Sequence, residues 1–135
     1  MIAAHGSPDL PSDLLPAGPG AYALTFRLEK PLTLPVARLN SPALPPGAYV
    51  YAGSAFGPGG IRARVARHLR ADKKPHWHID HLSARAECVD VKTYPGGREC
   101  DLVAALLEAG ATVPVAGFGS SDCRGCAAHL VRLAD

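Results

Sequence analysis

The sequence has no apolar run near the roughly 18 residues that a helix needs to cross a bilayer, which excludes a helical membrane span. Residues 1–18 carry no basic stretch followed by an apolar one, so the pattern of a secretory signal is missing. A cytoplasmic, reducing setting is therefore expected. In it the four cysteines, Cys88, Cys100, Cys123 and Cys126, should be mostly thiols. Only one Cys-x-x-Cys pair is present. Structural zinc usually takes four ligands from paired motifs, so Cys123, Cys126 and His129 read first as thiols and a histidine packing a turn, with a zinc or thiol module as the rival. The formal net charge is only +2, which by itself argues for no partner. No internal repeat and no long linker divide the chain.

What is present fits one domain. At 135 residues with 47% apolar side chains, the chain is long enough to bury a core without staples. Residues 1–19 are rich in proline, glycine and serine and read as a flexible lead-in, leaving 20–135 as the folded unit. Residues 21–28 (AYALTFRL) alternate, with Tyr22, Leu24, Phe26 and Leu28 on one face of a strand. A weaker strand over 32–39 is interrupted by Pro35 and suits an edge. Residues 41–47 hold three prolines and read as a loop. Residues 47–54 (GAYVYAGS) form a second firm strand with Tyr49, Tyr51 and Gly53 on one face.

Beyond the Gly57-Pro58-Gly59-Gly60 turn, Ile61, Val65 and Leu69 recur every four residues, predicting a helix over 60–70. A short helix over 75–82, a strand over 87–94, a helix over 97–109 with Leu102, Leu106 and Ala109 inward, and a strand over 113–118 follow. A last apolar element closes the tail. The pattern predicts an α/β fold, a small antiparallel or mixed sheet flanked by helices.

Six of the fourteen basic residues, Arg62, Arg64, Arg67, Arg70, Lys73 and Lys74, lie in one segment whose only acid is Asp72. Such a stripe attracts a phosphate backbone, although a solvated helix face reads the same way. Arg64 and His68 stand one helical turn apart and project together. Hydrolysis of a phosphodiester needs an activated water, cations to hold the phosphate, and a metal to stabilise charge on the leaving oxygen. Two strand tyrosines, Tyr22 and Tyr51, the Arg64–His68 pair, and Glu99 opening a later helix can supply these. Each also has a plain structural reading: packing for the tyrosines, surface charge for Arg64, complement to the helix dipole for Glu99. The stretch His76, Trp77, His78, Asp80 suits a second wall of the site, with Trp77 as a surface for a base to stack on. It equally suits a core tryptophan with hydrogen-bonded neighbours.

In combination, Gly20-Ala21-Tyr22, Tyr51-Ala52-Gly53, Arg64-x-x-x-His68 and Glu99 resemble the GIY-YIG nuclease superfamily. The resemblance runs from about residue 18 to the C-terminus. It is nearest a branch marked by Tyr49-Val-Tyr-Ala-Gly-Ser-Ala55, Arg67-His-Leu69, His76-Trp-His-Ile-Asp80, Glu99-Cys100 and the Gly117–Cys123 stretch with Cys126 and His129. That branch is similar to domains fused to endonuclease III-like repair enzymes. The resemblance implies a GIY-YIG-type sheet. It also implies an endonuclease acting on duplex, branched or damaged DNA in repair or processing, with a DNA-repair protein as a candidate partner. Tyr22 and Tyr51 would generate or orient the attacking water, Arg64 would hold the scissile phosphate, and His68 would be the hydrogen-bond partner of a tyrosine. Glu99 would hold one Mg²⁺ or Mn²⁺, a hard ion that favours carboxylate and water oxygen. The basic stripe, through Arg62, Arg67, Arg70, Lys73 and Lys74, would contact that DNA by its charge. Tyr22 is expected as the base, its pKa lowered by Arg64 and the metal, with His68 as competitor. Many superfamily members carry an asparagine after the metal glutamate. The only asparagine here is Asn40, which leaves room for a non-catalytic nucleic-acid-binding module.

Overall fold

The computed structural model describes residues 15–35, 41–57, 59–69, 78–83, 85–115 and 128–134, except for the side chains of Leu69 and His78. Strand β1 (Gly20–Leu28) pairs antiparallel with β4 (Gly47–Ala55) on one side and β5 (Glu87–Pro95) on the other. Strand β6 (Leu130–Arg132) completes a four-stranded antiparallel sheet of order β5-β1-β4-β6. A separate two-stranded sheet pairs β2 (Leu32–Thr33) with β3 (Ala43–Leu44). Helices α1 (Gly60–Leu69), α2 (His78–Ser83) and α3 (Glu99–Glu108) flank the main sheet. The α/β class with a small antiparallel sheet is as the alternation of the sequence predicts. No described helix is long and apolar enough to span a membrane.

Side chains of successive strand residues point to opposite faces, and this sorts the core into two. On one face Tyr22, Leu24 and Phe26 of β1 and Tyr49 and Tyr51 of β4 pack with Ile61 and Val65 of α1 and Ile79 and Leu82 of α2. On the other, Ala23, Ala52, Val50 and Val131 meet Val103, with Leu102 and Leu106 alongside. The small alanines let α3 approach the sheet closely there.

The local readings need several corrections. Of the edge strand expected over 32–39, Leu32–Thr33 is strand and pairs outside the main sheet, Leu34 and Pro35 are not strand, and 36–39 lie outside the described residues. The loop over 41–47 contains its partner β3. Residues 113–115 are not strand; Thr112 makes a single bridge to Arg132, and 116–118 lie outside the described residues. The last apolar element is the edge strand β6. In α3 Val103 is the buried residue, while Ala109 is an exposed cap.

Residues 15–19, expected to be a loose lead-in, are docked. Leu15 joins the core. The carbonyls of Gly18 and Pro16 accept hydrogen bonds from the N–H groups of Ile61 and Arg62 at 2.9 and 2.8 Å. These donors belong to the first turn of α1, which has no intrahelical acceptors for them. Gly60 makes this docking possible. Its φ is +61°, and a Cβ there would lie 2.2 Å from the Ala17 carbonyl oxygen.

Candidate active site

Tyr22 stands at the start of β1, directly opposite Gly53 of β4. A Cβ at residue 53 would lie 2.3 Å from the Tyr22 hydroxyl and Cζ. Glycine at this register position is therefore what gives the phenol its place. The hydroxyl reaches His68 of α1, 2.7 Å from Nε2. Tyr51, two residues before Gly53, completes a cluster of three rings. Its centroid is 6.5 Å from that of Tyr22 and 5.9 Å from that of His68, edge-on to the imidazole. All three are buried, Tyr22 at 1% exposure.

Behind His68 lies a charged pair. Asp80 of α2 faces the other imidazole nitrogen, Nδ1, at 3.8 Å. Both of its carboxylate oxygens accept from the Arg67 guanidinium, at 2.9 and 3.0 Å. The Asp80 side chain is fully buried and that of Arg67 is 22% exposed. Four residues from three elements thus form a chain, Tyr22–His68–Asp80–Arg67. The segment expected as a second wall contributes through Asp80. His76 and Trp77 lie outside the described residues, as does the side chain of His78.

Arg64, one turn before His68, is half-buried, donates to the Ser54 carbonyl at 3.2 Å, and places positive charge near both tyrosines. Glu99 opens α3, and its negative charge is felt at Tyr51. Tyr22, Tyr51, Arg64 and His68 are therefore brought together, and Glu99 is linked to them through its charge at Tyr51. The expected phosphate contacts fare differently. Arg62 donates from Nε to the Leu15 carbonyl at 2.9 Å, Arg67 serves Asp80, and Arg70, Lys73 and Lys74 lie outside the described residues.

Arg64 by itself does not lower the phenol pKa values as far as expected of it together with a metal. Burial raises the Tyr22 phenol far above its usual range, and the Tyr51 phenol adds to this. Arg64 pulls the other way without overcoming it. Burial likewise pushes Tyr51 up to about 12. His68 moves down, because burial disfavours the imidazolium more than Asp80 supports it. At neutral pH the cluster is two protonated phenols around a neutral imidazole. Without a bound ion Tyr22 therefore rests as the phenol, its hydroxyl against His68 Nε2.

Glu99 also has a neighbour that sequence spacing did not link to it. Its carboxylate, the Cys100 sulfur and a ring nitrogen of buried His129 lie within 4.8 Å of one another. His129 precedes β6, and its carbonyl accepts from Ala52 N–H at 2.9 Å. Cys100 is disulfide-bonded, against the expectation of a thiol, so it offers no thiolate and the donors left are one carboxylate and one imidazole. Cys123 and Cys126 lie outside the described residues. Cys88 is a free, buried thiol. A groove of about 480 Å³ lined by Arg27, Lys30, Arg85, Glu29 and Glu87 lies at the other end of β1 and includes none of these groups.

Fold and site together define an α/β domain built on a four-stranded antiparallel sheet, with a buried tyrosine–histidine–aspartate chain beside a helix-opening glutamate. The chain belongs to the family described as "Domain of unknown function DUF123", whose model matches residues 21–135. No curated protein and no solved structure matches it.

Proposed function

We propose that this chain is a metal-dependent endonuclease of the GIY-YIG type that hydrolyses phosphodiester bonds in DNA, in repair or processing. The observation that carries the reading is the convergence of Tyr22, Tyr51, Arg64 and His68, scattered over 47 positions of sequence, with Glu99 acting electrostatically on Tyr51. Packing alone requires neither a histidine bonded to a buried phenol nor a carboxylate and a guanidinium beside it.

The chemistry follows from the protonation balance. Water attacks phosphorus and forms the new P–O bond. It gives a proton to the Tyr22 oxygen as the Tyr22 hydroxyl proton moves to His68 Nε2. The bond to the ester oxygen breaks, and that oxygen takes a proton from solvent. Arg64 holds the phosphate by charge. Glu99, with His129 beside it, fits one Mg²⁺ or Mn²⁺, since a hard ion needs only one or two carboxylates and completes its shell with water. When bound, such an ion offsets charge on the leaving oxygen. A zinc module is not favoured, because the disulfide withdraws Cys100 from the donor set.

Nicking of supercoiled plasmid in Mn²⁺ tests the reading. Wild type should cut, and Glu99→Gln should fall by orders of magnitude with little change in Tm. Cutting by Glu99→Gln at the wild-type rate would sink it. The second reading, a nucleic-acid-binding module without turnover, draws on the closure of the cluster, where Tyr22 and Tyr51 are 1% and 7% exposed. Salt-dependent DNA binding with no cleavage by wild type would favour it.

A further inference from the structure

We propose that Asp80, clamped by Arg67, is a positioning residue that holds His68 in the tautomer with its proton on Nδ1 and its lone pair on Nε2, so that Nε2 can take the Tyr22 hydroxyl proton. The inference rests on the reading of Tyr22 as the residue that meets the attacking water.

A carboxylate only accepts hydrogen bonds, and a neutral imidazole has one N–H and one lone pair. His68 presents Nδ1 to the Asp80 carboxylate at 3.8 Å and Nε2 to the Tyr22 hydroxyl at 2.7 Å. With the proton on Nδ1, each nitrogen faces a complementary group and Tyr22 donates to Nε2. With the proton on Nε2, the Nδ1 lone pair would face a full negative charge. The Tyr22 hydroxyl, buried at 1% exposure, would then also need another acceptor. The first arrangement wins on both counts. At 3.8 Å the His68–Asp80 contact is longer than a hydrogen bond, and a shift of roughly 1 Å closes it, as in sites whose hydrogen bonds tighten on binding substrate.

The Arg67–Asp80 pair is costly if it is only a tether. A buried ion pair often contributes no more than apolar side chains of the same volume. Here α1 and α2 already meet through apolar groups, Ile61 and Val65 facing Ile79 and Leu82 in one cluster. What apolar residues could not do is polarise His68. Arg67 is the residue before His68 in α1, and both its donors grip Asp80. The carboxylate therefore cannot rotate away from the imidazole. The logic is that of a serine–histidine–aspartate triad, in which the aspartate orients the ring and stabilises the imidazolium without taking its proton.

The test reads the tautomer directly. Full-length chain labelled with ¹⁵N-histidine is examined by long-range ¹H–¹⁵N spectra at pH 7.5, alongside plasmid nicking in Mn²⁺. In wild type, His68 should show a protonated Nδ1 and an unprotonated Nε2. In Asp80→Asn, Arg67 should retain the amide oxygen and turn the NH₂ toward His68, so that the proton moves to Nε2. Nicking should then fall by about 10²-fold or more. A double variant, Arg67→Met with Asp80→Leu, serves if the single change unfolds. It should regain stability through packing while losing the single tautomer. A wild-type tautomer in both variants would overturn the inference and leave Asp80 a tether. The nicking arm judges the proposed function separately. A wild type that never cuts but whose tautomer depends on Asp80 counts against the endonuclease and for the positioning role.

Discussion

Gly53→Ala should disable the site from the neighbouring strand, on the same face of the sheet, and its cost can be worked from geometry. The added Cβ would sit 2.3 Å from Cζ and the hydroxyl of Tyr22 and 2.7 Å from Cε1. Carbon contacts relax at about 3.5–4.0 Å, so the phenol must retreat by more than roughly 1 Å. It has nowhere to go, since Tyr22 is 1% exposed and its strand is paired on both sides. Overpacking of this kind costs about 1–3 kcal/mol, and a buried hydroxyl pulled from its partner about 1–3 more. For a domain of this size about 1 kcal/mol lowers Tm by roughly 3–4 °C, so the fall should be on the order of 6–24 °C. Melting four chains by circular dichroism isolates the contact: wild type, Gly53→Ala, Tyr22→Leu and the double variant. In the Tyr22→Leu background the ring is gone, and Gly53→Ala should be neutral or stabilising. A coupling of about 2 kcal/mol or more is expected. If Gly53→Ala melts with wild type, or costs the same in both backgrounds, the account of Gly53 as the space for the Tyr22 phenol is wrong.

The remaining expectations are as direct. An unfolded chain loses phenol protons near pH 10, whereas folded Tyr51 holds its proton to about 12. Stability should therefore fall as pH rises across that interval, and urea midpoints should show a smaller loss in Tyr51→Phe. At the acid end, unfolded histidine takes a proton near 6.5 while folded His68 resists. Stability should drop as pH falls below that value, less so in His68→Gln; equal slopes in the two chains would refute the assignment. Cys88 is 4% exposed and pushed up to about 11, so maleimide should label it only in denaturant. Cys100 should resist labelling even then until a reductant is added, and prompt labelling of both in the native chain would contradict this environment.

Strand periodicity was legible because burial on a sheet has period two. Tyr22, Leu24 and Phe26 on one face, with Tyr49 and Tyr51 beside them, could be read from residue types alone, and so could Ile61 and Val65 on α1. The spacing of Arg64 and His68 and the place of Glu99 at a helix start were equally local facts. What spacing could not convey is which distant groups meet. Asp80 follows His68 by 12 positions, and His129 follows Glu99 by 30. The backbone path between them, not the residue types, sets those contacts. The direction of the pKa shifts was hidden for the same reason. Opposite charge near a tyrosine lowers its pKa in water, but desolvation depends on everything packed around it, and here it outweighs Arg64. The sequence by itself thus determined the elements, their faces and the cast of reactive side chains, since these depend on neighbours within a helical turn or a strand pleat. Only the tertiary structure decided who pairs with whom, that residues 15–19 are docked on α1, and that burial raises the tyrosine pKa values, since those outcomes depend on exclusion of water by the assembled core.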